Sequence, residues 1–210
     1  MARFGPQFWW PAKTKFEVVV GAILTQNTNW KNVEKALVNL ERSGVLTPLA
    51  IRDISPKHLA ALIKPAGFFN VKTKRLKSFI DFLWQKYDGS LQRMEKVPLE
   101  QLRPQLLAVN GIGPETADSI LLYALEKPIF VVDAYTKRIL VRHSLVSPTE
   151  DYHGIQKEFM RHLKTDPPLF NEYHALIVRV GKEFCRSNPL CEQCPLNDIN
   201  YSITQIRKFI

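Results

Sequence analysis

The chain has 210 residues, 45% hydrophobic and 23% charged, a globular balance that gives one large domain or two small lobes a core. No apolar run nears the roughly 20 residues of a membrane span, and MARFGPQFWWPAK lacks the features of an export signal, so a cytoplasmic protein with no membrane partner is expected. The formal charge of +9 favours a polyanionic partner, nucleic acid ahead of an anionic membrane surface.

Helical periodicity runs through the chain. Over residues 13–26, Phe16, Val19, Val20, Ile23 and Leu24 trace one apolar stripe; over 30–42, Trp30, Val33, Leu37 and Leu40 trace another, with Gly44 as the stop. Ser55-Pro56 opens a short helix. A longer helix over 70–87 turns Leu76, Phe79, Ile80 and Leu83 inward and ends at Asp88-Gly89. Two helices flank NGIGP at 110–114, others begin near Asp133 and Glu150, and the last spans 169–184. The apolar segment 129–132 is too short to imply a sheet. The pattern predicts an all-α protein of nine or ten helices, without repeats or a low-complexity linker.

The stretch LLAVNGIGPETADSILLYAL, residues 106–125, is the most informative. Gly111, Ile112 and Gly113 form a tight hairpin between two apolar helices, and Pro114 occupies a favourable first helical position. Glycine lets backbone approach a ligand closely, and the unpaired amides of the next helix suit a phosphate oxygen. Ile112 can pack between the helices. The plainer reading is a connector that binds nothing. Nineteen residues beyond Pro114, VVDAYTKRIL places Asp133 at a helix start, where it can cap.

GIGPETA followed by VVDAYTKRIL resembles the helix-hairpin-helix, Gly/Pro-rich loop, Asp (HhH-GPD) superfamily of DNA glycosylases, the endonuclease III family. The likeness covers nearly the whole chain: GAILTQNTNWKNVEKAL at 21–37 is similar to the family's early helix and loop, and AGFFNVKTKRLK at 66–77 to the segment before the hairpin. Within the family, WWPAKTKFE (9–17), ILTQNTNW (23–30) and GIGPETADSIL (111–121) resemble the bacterial 3-methyladenine DNA glycosylase III branch.

The resemblance implies a two-lobed helical fold: a central lobe over 20–130 containing the hairpin, and a terminal lobe of 1–19 plus 131–210. It implies a monomer that binds double-stranded DNA with a damaged base and extrudes one nucleotide into a pocket between the lobes. As the glycosidic bond breaks the sugar gains positive charge, which a carboxylate stabilises while orienting or deprotonating water. Asp133 is the candidate. Bifunctional members carry a lysine nucleophile where this chain has Glu115; a carboxylate cannot form the imine, so a monofunctional glycosylase without efficient lyase activity is expected.

Trp9, Trp10, Pro11 and Trp30, with Glu115, are the candidate base pocket. N-alkylation makes a purine cationic, and an indole face attracts it by up to about 2 kcal/mol when desolvated. Packing in the core is the competing reading. Gln26, with Asn27 beside it, is the candidate to fill the gap left by a flipped base. Lys72, Lys74, Arg75, Lys77, Lys137, Arg138 and Arg142 are candidate backbone contacts, of which about a third are expected to reach phosphate.

Three cysteines close the chain as Cys185-x5-Cys191-x2-Cys194, a metal-site pattern more than a disulfide framework. The family pattern, C-x6-C-x2-C-x5-C, holds a [4Fe–4S] cluster. Here the first spacing is one residue short and Asn200 stands at the fourth position. A cluster completed by Asn200, Asp198, a histidine or water, a three-iron cluster, a zinc site, and three reduced thiols packed as small hydrophobes are the alternatives. Three functions compete with removal of alkylated purines such as 3-methyladenine: a uracil/thymine–guanine mismatch glycosylase, a non-catalytic DNA-binding module, and, least favoured, an iron–sulfur electron carrier.

Overall fold

The structure, a computed structural model, describes residues 3–197. Eleven α-helices and no strand occur among the described residues. Packing divides the chain into two compact units, Trp10–Lys127 and Met1–Trp9 with Pro128–Ile210. Residues 10–19 fall with the central unit, whose first helix is Lys15–Leu24.

The central unit is built around that helix, α1 (Lys15–Leu24), capped by the Thr14 side chain. Val19, Val20, Ile23 and Leu24 are fully buried, but Val18, Gly21 and Ala22 are buried too, so α1 is enclosed on every side and is not a one-stripe surface helix. Around it lie α2 (Trp30–Arg42), which Asn29 caps, and α5 (Phe69–Tyr87). Two short helices, α3 (Pro48–Asp53) and α4 (Pro56–Leu62), lie between α2 and α5, each opened by a hydroxyl cap followed by proline. Asp88 and Gly89 end α5 with left-handed backbone. Two further helices, α6 (Leu91–Glu95) and α7 (Leu99–Leu107), lead into the hairpin. One-turn helices such as α3 and α6 are too short to show a 3.6-residue period, which is why the sequence pattern undercounts helices.

The hairpin is followed by α8 (Pro114–Ser119), with Pro114 at its first position, and by a π-helical turn over Ile120–Ala124. Buried Asp118 receives a two-point hydrogen bond from Arg103 on α7, at 2.7 and 3.0 Å, joining the helices on either side of the hairpin.

The terminal unit packs around Phe130, which stacks on Phe159 at 4.0 Å and meets Phe170 edge-on. Residues 129–132 are buried, yet form no strand. Their backbone is served by side chains instead: Gln156 donates to the Phe130 carbonyl at 2.6 Å, and the Tyr152 hydroxyl accepts from the Val132 amide at 3.4 Å. Three helices follow, α9 (Ala134–Arg142), α10 (Tyr152–His162) and α11 (Pro167–Glu183). The crossing of α9 and α11 is close at Gly181, where a Cβ would lie 2.6 Å from the Tyr135 ring.

Candidate functional site

The hairpin turns on Gly111, whose φ of +83° suits glycine, while Gly113 sits in ordinary extended backbone. Ile112 is buried at 4% exposure and anchors the turn; Gly113 and Glu115 are exposed. The first turn of α8 thus presents its amides behind an open glycine, a surface suited to a phosphate oxygen.

Gln26, on the loop after α1, is committed to this hairpin. Its Nε2 donates to the Gly111 carbonyl at 3.0 Å and to the Thr116 hydroxyl at 2.9 Å, and its Oε1 accepts from Arg75 of α5. Asn27 next to it is exposed with a φ of +53°. The expectation that Gln26 fills a gap in DNA meets a side chain with three internal partners, whereas Asn27 is presented outward. Phe68 is a residue that sequence reasoning missed. It is 67% exposed on left-handed backbone just before α5, an aromatic ring held out to solvent.

Trp10 and Trp30 come together in the central unit, edge to face with ring centroids 5.1 Å apart. Gly21 of α1 makes room for them: a Cβ there would stand 3.3 Å from Trp10 Nε1 and 3.5 Å from Trp30 Cη2. Tyr123, absent from the expected pocket, adds a third ring, 5.3 Å from Trp10. It lies on the π-turn, a distortion that often re-aims side chains at functional sites. Pro11 is exposed, and Trp9 belongs to the terminal unit, where the Lys182 ammonium lies 5.6 Å from its ring.

Asp133 caps α9, and its two oxygens are used differently. Oδ1 accepts from the Thr136 amide at 2.7 Å and the Thr136 hydroxyl at 2.8 Å, and lies 3.7 Å from His174 Nε2 on α11. Oδ2 makes no hydrogen bond among the described residues. Burial pushes the carboxyl towards its neutral form, but His174 and the two Thr136 donors outweigh it and hold the group below the usual carboxylate range. The result is an ionised carboxylate, fixed through one oxygen, with the other available.

Residues 20–165 match the HhH-GPD superfamily of base excision DNA repair proteins. The chain is 48% identical over 197 residues to the Methanocaldococcus jannaschii protein named "Putative DNA repair glycosylase MJ1434", covering 93% of this chain and 89% of that one. The chain is a DNA glycosylase of the HhH-GPD superfamily. Among solved structures it resembles the H. pylori 3-methyladenine DNA glycosylase MagIII bound to 1,N6-ethenoadenine, at 30% identity and a TM-score of 0.75, covering 85% of this chain and 89% of that one. A non-covalent endonuclease III–DNA complex, 20% identical, shares the fold with a TM-score of 0.77 over 95% of this chain and 88% of that one.

Most of the glycosylase's expected phosphate-contacting cations are occupied internally. Lys72 is 1% exposed and donates to the Ala66 carbonyl; burial, helped by the charge of Arg75, lowers its pKa to about 8. Lys77 binds the carbonyls of Ile51, Arg52 and Ile54. Lys137 donates to Glu150 O at 2.6 Å and Arg138 to Gly181 O at 2.8 Å, while Arg142 ties α9 to the backbone at Arg186 and Ser187. Lys74 is exposed. Sequence spacing shows where cations fall but not that a neighbouring helix end offers them carbonyls.

The cysteines do not fit a four-thiolate cluster. Cys185 is buried against Ile139 and Val180, with Cys194, Leu196 and Phe4 packed around it, and its sulfur accepts from Arg142 at 3.3 Å. Cys191 is exposed. No group of three His, Cys, Asp or Glu side chains among the described residues is gathered to hold a metal, and Asp198 and Asn200 lie outside those residues. Cys185 is part of an apolar plug under the loop. No helix among the described residues is long and apolar enough to cross a membrane.

Proposed function

We propose that this glycosylase flips N-alkylated purines such as 3-methyladenine out of duplex DNA and hydrolyses them without strand cleavage. The observation that carries the substrate class is the ring cluster of Trp10, Trp30 and Tyr123. Its electron-rich faces attract a purine made cationic by alkylation, and its edge-to-face packing holds the rings in place beforehand. The likeness to a glycosylase solved with a modified adenine supports the same class.

In the proposed reaction Asp133 supplies the negative charge. As the bond from C1′ to the base nitrogen breaks, its electron pair returns to the alkylated base, which leaves neutral, and the sugar carries the positive charge. Oδ2 faces that charge and takes a hydrogen bond from the attacking water. The water oxygen bonds to C1′, and its proton passes to the carboxylate and then to solvent. Preorganisation comes from Thr136, which fixes Oδ1 so that the carboxylate need not reorient as charge develops. Glu115 leaves no amine at the lyase position, and the product is an abasic site on an intact strand. Outside the site, Gly113 and the first turn of α8 receive backbone phosphate, and Asn27 and Phe68 reach towards the bases.

The deciding experiment compares wild type with Asp133→Asn on duplexes that each carry one lesion: 3-methyladenine, 7-methylguanine, uracil opposite guanine, or thymine opposite guanine. Wild type is expected to release alkylated purines fastest, and the variant to lose on the order of 10²- to 10⁴-fold in single-turnover rate. Release of uracil or thymine ahead of the alkylated bases would replace the substrate assignment. An undiminished rate in the variant would remove Asp133 from the chemistry.

A further inference from the structure

His174 has no local signature in the sequence. It sits mid-helix on α11, 4% exposed, between Tyr173 and Ala175, with its ring edge-on to Phe130 at 6.2 Å. A buried histidine on an apolar face usually serves packing. This one also brings Nε2 to 3.7 Å from Asp133 Oδ1, an ion-pair distance longer than a direct hydrogen bond. The contact bridges the two helices that cross at Gly181, so the packing of α9 on α11 sets its length.

We propose that His174 is the positioning residue of the reaction: from α11 it holds Oδ1 of Asp133 against the start of α9 and leaves Oδ2 to the sugar. The proposal rests on the reading of Asp133 as the catalytic carboxylate. Both Thr136 donors and His174 converge on one oxygen, so a rotation of the carboxylate breaks three interactions at once.

Other titratable or charged groups on these elements have partners of their own. On α9, Lys137 is on the Glu150 carbonyl and Arg138 on that of Gly181, with its guanidinium 5.0 Å from the Tyr135 ring. On α10 the Tyr152 hydroxyl accepts from Val132 N. On α11, Glu172 accepts from the Gln7 amide, and burial raises the Tyr173 phenol. Among the described residues, His174 is the ionisable partner that favours the Asp133 anion.

The sign follows. A carboxyl held below its ordinary range stays ionised, and active, as pH falls. With His174 replaced, only Thr136 opposes the effect of burial, the carboxyl protonates earlier, and the acid limb of the rate profile moves to higher pH.

The test uses full-length wild type, Asp133→Asn, His174→Gln and His174→Leu on whichever lesion duplex the wild type processes fastest. Single-turnover excision is followed from pH 5 to 8. Binding to a duplex containing a stable abasic-site analogue reports folding. The glutamine variant keeps a polar donor that does not titrate; it is expected to retain most of the rate at pH 8 and to show the displaced acid limb. The leucine variant is expected to lose about ten- to a hundredfold at every pH, the range for a misplaced catalytic group. Wild-type rate and limb in both His174 variants would overturn the proposal. If His174→Leu prevents folding, the acid limb of the glutamine variant decides. If Asp133→Asn keeps wild-type activity, the catalytic reading itself fails and the positioning role falls with it; His174 variants that change nothing beside an inactive Asp133→Asn overturn the positioning role alone.

Discussion

Replacing Gly111 or Gly113 by alanine separates two uses of glycine within three residues. At Gly111 the backbone has a φ of +83°, which costs an alanine about 1–2 kcal/mol. The new Cβ would also stand 2.3 Å from Arg75 Cγ and 2.8 Å from Cδ, near the root of that side chain, so Arg75 must change rotamer. Doing so gives up its bond to Gln26, about 1.5 kcal/mol for a partly buried charged donor. Together these amount to roughly 3 kcal/mol, or about 6–12 °C in Tm for a chain of this size. At Gly113 the backbone is ordinary and a Cβ meets nothing within 4 Å, so Gly113→Ala is expected to stay within about 0.5 kcal/mol of wild type. That open space is where a phosphate would approach, and the same methyl group is expected to weaken binding to duplex DNA. Thermal unfolding followed by circular dichroism and duplex binding at fixed salt measure the two effects. Equal Tm losses in the two variants, or a wild-type Tm in Gly111→Ala, would refute the account of the hairpin.

Trp30→Ala is expected to reduce excision of 3-methyladenine more than binding to abasic DNA, because in the proposed pocket the ring meets the base and not the backbone; equal losses in the two assays would mark Trp30 as structural. Borohydride added during turnover is expected to trap no covalent enzyme–DNA complex, since Glu115 cannot form an imine; a trapped band on a denaturing gel would contradict this.

The helices that could be read in advance are those whose apolar faces repeat over three or more turns. The helix over Trp30–Arg42 emerges with the expected bounds, and Ser55, Pro56, Pro114 and Asp133 all act as the terminators and caps their chemistry suggests. The family was legible because glycine spacing, proline and aspartate follow one another at fixed intervals in a single stretch. What stayed hidden depends on distant pairs. The His174–Asp133 contact joins residues 41 apart, and the Gln26–Gly111 bond residues 85 apart. Tyr123 carries no distinguishing signal in the sequence; the π-turn places it beside Trp10. The charge count suggested a DNA-facing set of lysines and arginines, but a cation near a helix end finds carbonyls in its own chain first, as Lys77 and Arg142 do.

The unequal use of the two Asp133 oxygens also bears on what asparagine does there. The Thr136 amide and hydroxyl both point at one atom, and only the carbonyl oxygen of an asparagine can accept from them. The amide is therefore forced to turn its NH₂ group outward. Asparagine would not act as an uncharged copy of aspartate: it would set a hydrogen-bond donor, with its positive end, against an emerging cation. In the proposed reaction, the substitution reverses local polarity at the atom assigned to meet the sugar.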